Sequence, residues 1–167
     1  MTTPLTHDPI ELARVQWSKR GWSSAADGMA LVTSIMRIQQ ELLARVDVEL
    51  RPFDLTFARY EVLMLLEFSQ RGQLPLGKIG ERLQVHPASV TNVVQRLTDD
   101  GFLRRSPNPD DGRSVLATIT PSGSRTARAA TEHLNQHVFS ALPLDTADQV
   151  EIYDKLTTVR QAFGDFA

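Results

Sequence analysis

Two runs, Leu76-Gly77-Lys78-Ile79-Gly80-Glu81-Arg82-Leu83 and Ala88-Ser89-Val90-Thr91-Asn92-Val93-Val94-Gln95-Arg96-Leu97, flank the break Val85-His86-Pro87. Ile79 and Leu83 are four apart, and Val90, Val93, Val94 and Leu97 fall at i, i+3, i+4 and i+7. That spacing puts the apolar residues of each run on one helix face. Two short helices joined by a tight turn and locked by such faces resemble a helix-turn-helix. The other face of the second helix carries Ser89, Thr91, Asn92, Gln95 and Arg96, with His86 just ahead of it. These side chains reach DNA from a helix in the major groove: hydroxyls to phosphate or bases, amides to adenine, arginine to guanine or phosphate. The helix N-terminus favours a phosphate as well. A merely solvated helix also has a polar outer face, but ordinarily one built of Glu and Lys pairs. Here the acids Asp99 and Asp100 come only at the far end.

Downstream, Gly101 is suited to end the helix, and the hydrophobic period then changes. Phe102-Leu103-Arg104-Arg105 and Val115 to Thr120 read as short strands around a loop, Ser106 to Ser114, dense in turn formers. Asp111-Gly112 is a hairpin signal that places Arg113 near the tip. A thin hairpin with a terminal arginine can enter a narrow minor groove, where the negative potential is enhanced. Arg104 and Arg105 at its base are placed for phosphates. The competing reading of Arg113 is an ordinary solubilising charge. Over residues 76–113 the cations Lys78, Arg82, Arg96, Arg104, Arg105 and Arg113 number six and the acids Glu81, Asp99, Asp100, Asp110 and Asp111 five. The case therefore rests on placement.

Outside this region the chain reads as helices. Residues 1–9 are polar and loose, a short helix follows at about 10–20, and a long one runs Ala25 to Leu50 until Pro52 stops it. Thr56 is a candidate N-cap for a helix with Val62, Leu63, Leu65, Leu66 and Phe68 on its buried stripe. Pro121 suits the first position of another helix after Thr120, and a last one lies near 145–163. The division expected is a loose N-terminus at 1–9, N-terminal dimerisation helices at 10–52, a winged helix-turn-helix at 53–120 and C-terminal dimerisation helices at 121–167. The flanking apolar stripes exceed what a small winged domain can cover. They fit either a homodimer or a larger monomer core.

The 167 residues hold 41% hydrophobic and 23% charged residues, an ordinary globular balance, and no cysteine. Thiolate metal sites, disulfides and cysteine nucleophiles are excluded. The longest apolar run is Val62 to Leu66, far short of the roughly 20 residues of a membrane span. No secretory signal is visible, so the expected compartment is cytoplasmic. Eighteen Lys and Arg against twenty Asp and Glu give a net charge of −2, so attraction to nucleic acid has to be local.

Five patterns, Leu76 to Leu83, Ala88 to Leu97, Asp100-Gly101-Phe102-Leu103-Arg104-Arg105, Asp110-Asp111-Gly112-Arg113-Ser114 and Ile119-Thr120-Pro121-Ser122-Gly123, occur in the order and spacing of the multiple antibiotic resistance regulator (MarR) family, which the chain resembles over nearly its whole length. The resemblance implies a mainly α fold with a small β-wing, and a homodimeric regulator, expected as a repressor, on a palindromic double-stranded DNA operator. By resemblance, the helix from Ala88 is the recognition helix, Arg113 enters the minor groove, and Asp111 holds the wing by pairing with an arginine. Two positions depart from the pattern. Many members have a second arginine where Gly112 stands. Many have alanine where Gly80 stands, and glycine there costs up to about 1 kcal/mol of helix propensity, which closer helix packing would offset. The resemblance also implies a small phenolic or aromatic effector, for which Trp17, Trp22, Arg59 and Tyr60 are candidates. The alternative for the tryptophans is core or interface packing.

His133 and His137 share a helix face at i, i+4, but no His-Glu-x-x-His pattern accompanies them, and no metal or other cofactor is expected. No enzyme signature is present: neither Gly-x-Ser-x-Gly nor a phosphate-binding glycine loop occurs. The alternative function is a winged-helix protein-interaction module without DNA binding.

Overall fold

The structure is a computed structural model that describes residues 5–166. The first four residues of the expected loose N-terminus, and Ala167, lie outside the described residues. The chain forms two compact units, divided between Arg45 and Val46.

In the first unit, α1 (Pro9–Lys19) starts where Asp8 accepts a hydrogen bond from the Ile10 amide at 2.9 Å with Pro9 in the first turn. Both features favour a helix start. Trp22 packs edge-on against Trp17, 5.4 Å between ring centres. Then α2 (Ser23–Leu50) begins, and Arg14 bridges to Asp27 at 2.9 Å. Ile10 and Ala26 are buried, while Leu31, Val32, Met36 and Ile38 are each more than half exposed.

The second unit takes the end of α2, a 3₁₀ turn at Arg51–Phe53, α3 (Phe57–Glu67), β1 (Gln73–Pro75), α4 (Leu76–Leu83), α5 (Pro87–Asp99), β2 (Leu103–Asn108), β3 (Asp111–Ile119), α6 (Pro121–His137) and α7 (Thr146–Ala162). The strands form one antiparallel sheet in the order β1-β3-β2. Leu63 and Leu66 of α3, Ile79 of α4, Val90, Val94 and Leu97 of α5, Leu103 of β2, and Ala127, Ala130 and Leu134 of α6 share one core. Each fully buried leucine is worth about 1.5–3 kcal/mol. Glu67 ties α3 to α6: a hydrogen bond from Ser124 and then the Arg128 guanidinium hold its carboxyl below the usual range. By contrast α7 has no buried residue, and Val150, Tyr153 and Phe163 are all more than half exposed.

Four local expectations change. Phe68, expected on the buried stripe of α3, is its C-cap and lies 78% exposed. Thr56 occupies the N-cap of α3 without a side-chain bond, and the orphan Phe57 amide donates instead to Asp47 of α2 at 2.7 Å. The expected loop at 106–114 is mostly strand: Ser106 pairs with Leu116 and Pro107 with Val115, so the tip is Pro109-Asp110 and Asp111-Gly112 begins β3. β1, a strand the sequence does not mark, pairs with β3 through Gln73–Thr118 and Leu74–Ala117.

Thr120 links the end of α5 to α6. Its hydroxyl accepts from the Gly123 amide at 3.0 Å and donates to the Gly101 carbonyl at 2.8 Å. A Cβ on Gly123 would lie 2.2 Å from the Phe102 carbonyl oxygen, which no rotamer change relieves. Gly123→Ala is therefore expected to lower unfolding free energy by about 1–3 kcal/mol in urea titration. Gly77→Ala, where the added methyl meets open space, should leave it unchanged or slightly raised.

Candidate nucleic-acid interface

The turn between α4 and α5 is tight because the backbone reverses at Gln84, in the left-handed region at φ 54°. The Val85 amide then bonds back to the Gly80 carbonyl at 3.1 Å. A Cβ on Gly80 would sit 3.2 Å from both the Val85 carbonyl oxygen and Val90 Cγ2. Glycine here lets the turn pack closely against α5, where a Cβ would press on the Val85 carbonyl and Val90. His86 caps α5: its Nδ1 accepts from the Ala88 amide at 3.2 Å. With Nδ1 turned to the backbone, Nε2 is the ring nitrogen left for an outside contact.

Val90, Val94 and Leu97 turn inward, and Ser89, Thr91, Asn92, Gln95 and Arg96 are all exposed. They are not equally free. Thr91 donates its hydroxyl proton to the Pro87 carbonyl at 3.0 Å. Gln95 is engaged at both ends: its carbonyl accepts from Arg105 Nη1 at 2.6 Å, and its amide nitrogen donates to Asp99 Oδ1 at 2.7 Å. Ser89, Asn92 and Arg96 have no side-chain partner among the described residues.

The wing is pinned by its own side chains. Asp111 Oδ1 accepts from the Arg113 backbone amide at 3.1 Å, so this carboxylate holds the wing through the main chain and not through a guanidinium. Asn108 accepts from the Asp110 amide and donates to Ser114 Oγ at 2.8 Å, closing the two-residue tip. Arg113 is exposed on β3, two residues after the strand begins. A shallow groove of about 380 Å³ is lined by Arg105, Ser106, Pro107, Gly112, Arg113, Ser114 and Val115, so Arg105 and Arg113 border the same hollow. Arg104, next in sequence to Arg105, points to the opposite face of the strand. Neither Arg104 nor Arg113 has an ion pair among the described residues, whereas Lys78 is paired with Glu81 at 2.7 Å.

Asp99, Asn108 and Ser114 were not among the expected site residues. Gln95 and Asp99 stand at i, i+4, a spacing that could have flagged their contact. The Arg105–Gln95 bond joins a strand to a helix and has no local signal.

The aromatic and cationic set does not form one site within either unit. Trp17 and Trp22 belong to the first, with Trp22 52% exposed. In the second, Tyr60 is core, its hydroxyl 3.0 Å from Thr131 Oγ1. Arg59 is ion-paired with Asp100 at the end of α5, beside an open cleft of about 600 Å³ lined also by Arg51, Asp54 and Thr56. His133 is bonded to Glu49 at 2.8 Å and meets Phe53 edge-on and His137 at a tilt, with ring centres 5.5 and 4.2 Å away.

The sequence profile of the MarR family matches residues 55–115, from the lead into α3 through most of the wing. Sco5413, a MarR family transcriptional regulator from Streptomyces coelicolor, is 50% identical, with a TM-score of 0.78 over 84% of this chain and 97% of that one. The HTH-type transcriptional regulator YhbI of Bacillus subtilis is 31% identical over 74% of this chain and 77% of its own. Sco3205, a MarR family regulator of S. coelicolor solved in complex with DNA, is 21% identical and shares the fold, at a TM-score of 0.74 over 83% of this chain and 89% of that one. With its core, helix-turn-helix and wing matched in sequence and shape, this chain belongs to the MarR family of DNA-binding transcriptional regulators.

Proposed function

We propose that the chain represses transcription by binding a roughly palindromic operator as a homodimer, with α5 in the major groove and the wing arginine Arg113 in the adjacent minor groove. The observation that carries this reading is the exposed face of α5, where Ser89, Asn92 and Arg96 stand unpartnered beside a pinned wing bearing Arg113. In this reading Ser89, Asn92 and Arg96 contact base edges, and His86, Thr91, Arg104 and Arg105 contact the backbone. Asp111 keeps the wing in shape. The dimer is supported by the exposed apolar side chains of α2, such as Leu31, Val32 and Met36, and of α7, such as Val150 and Tyr153, because clustered exposed apolar residues mark interaction sites. A two-fold axis would set the recognition helices in successive major grooves, about 34–36 Å apart. Such a protein acts in the cytoplasm by binding, without catalysis.

Release by a small aromatic effector completes the reading. The cleft beside Arg59 supports it, because Arg59 there holds Asp100 at the C-terminal end of α5. An aromatic acid competing for this guanidinium would loosen the recognition helix. The polar face of α5 together with the exposed wing arginine Arg113 favours DNA over a protein-interaction module.

Selection of bound genomic fragments is expected to recover sequences sharing a palindrome; no retardation of any fragment at low salt would favour the interaction module. Arg113→Ala should weaken binding to all sequences and reduce the slope of log K against log salt by about 1. Asn92→Ala should cost about 1–3 kcal/mol on the selected operator and almost nothing on scrambled DNA. Sedimentation equilibrium at micromolar concentration should report twice the chain mass, and a monomer would rule out the two-groove arrangement.

A further inference from the structure

We infer that Gln95, on the face of α5 where a base reader is expected, is a positioning residue: its amide holds the Arg105 guanidinium so that helix and wing meet DNA as one preformed surface. This rests on the proposed DNA-binding role of that face. A glutamine has a carbonyl oxygen with two lone pairs and an amino group with two N–H donors, and a bidentate contact to adenine turns both ends toward one base edge. In Gln95 each end is turned instead to a protein partner, the carbonyl to Arg105 and the amino group to Asp99, so reading adenine requires sharing or breaking both bonds. The orientation is also electrostatically fixed. The carbonyl end of the amide dipole faces the cation and the amino end faces the carboxylate. The flipped amide would set its N–H groups against the guanidinium and its oxygen against Asp99, two repulsions in place of two bonds.

Arg105 keeps most of its five donors. It borders the wing groove with Arg113, so the brace aims a charged, bidentate-capable group beside the wing without consuming it. Ordering a long arginine on binding weakens association by about 2- to 10-fold, and Gln95 supplies that order beforehand. The residue thereby adds affinity for any duplex and carries no sequence preference of its own.

The test is a double-mutant cycle with Gln95→Ala, Arg105→Ala and the pair, titrated on the selected operator and on a scrambled duplex of equal length. Circular dichroism checks each variant's fold. Gln95→Ala is expected to weaken both duplexes by the same factor, about 2- to 10-fold, while keeping the parent's salt slope. Arg105→Ala should lower that slope by about 1. The double variant should bind no worse than Arg105→Ala alone. A loss confined to the operator, losses that multiply in the pair, or no loss in Gln95→Ala would each overturn the inference while leaving DNA binding intact. Failure of the parent to bind either duplex would instead defeat the DNA-binding reading itself, and this inference with it.

Discussion

The Phe102 carbonyl is where three parts of the winged unit are fixed to one another. Immediately before it, Gly101 adopts φ 75° and the Phe102 amide bonds back to the Leu97 carbonyl at 2.9 Å, ending α5 in a Schellman-type closure. Immediately after it, Leu103 enters the core and starts β2. The carbonyl itself accepts from the Thr120 amide at 3.0 Å, and α6 approaches so closely at Gly123 that no side chain fits. A single peptide thus sets the end of the candidate recognition helix, the root of the wing and the start of a core helix. The position of α5 relative to the wing is determined by backbone bonds in a packed interior.

The parts of this arrangement that are local in sequence were legible there. Helical spacing in α4 and α5, Gly101 after α5, and Thr120-Pro121 at the start of α6 each express a rule that acts within one turn, and the structure agrees with all of them. The wing was less legible because several neighbouring residues compete to form a turn. Asp111-Gly112 has the stronger hairpin signature, yet Pro109, whose φ is already fixed and which lacks an amide proton, occupies the tip. β1 has only three residues and draws its order from a partner more than forty positions away. Tyr60 was grouped with Arg59 by type, although consecutive helical residues point about 100° apart; one lies in the core and the other at the end of α5. Contacts such as Arg59–Asp100 and Arg105–Gln95 depend on tertiary geometry that no short motif encodes.

The charge pattern follows from the same economy of contacts. A chain of net charge −2 gains nothing from long-range attraction to a polyanion, and each phosphate contact contributes only about 0.9 to the salt exponent. The outward face of α5 carries one cation, Arg96, and the wing and its root carry Arg104, Arg105 and Arg113. On the proposed reading, four cations per protomer yield modest affinity for arbitrary DNA. Discrimination then falls to the base-facing groups Ser89, Asn92 and Arg96, which bind fully only where a matching base edge meets them. Weak non-specific binding raises the ratio of specific to non-specific affinity, the quantity that matters when competing sites are numerous.

The flanking helices bear on how such a protein becomes stable. α7 has seventeen residues and none buried, and an isolated helix of that length is marginal in water. The exposed apolar side chains of α2 and α7 therefore lack, in one chain, the packing that ordinarily sustains a helix. In the proposed homodimer that packing comes from the second copy. Association is then coupled to the ordering of α7, unlike the docking of two finished surfaces. Apparent stability would rise with protein concentration, and the distance between the two copies of α5 would be set by the segment whose order depends most on the partner. An effector acting on that segment, or on the Arg59–Asp100 tie at the end of α5, could alter operator fit without touching a DNA-contacting residue.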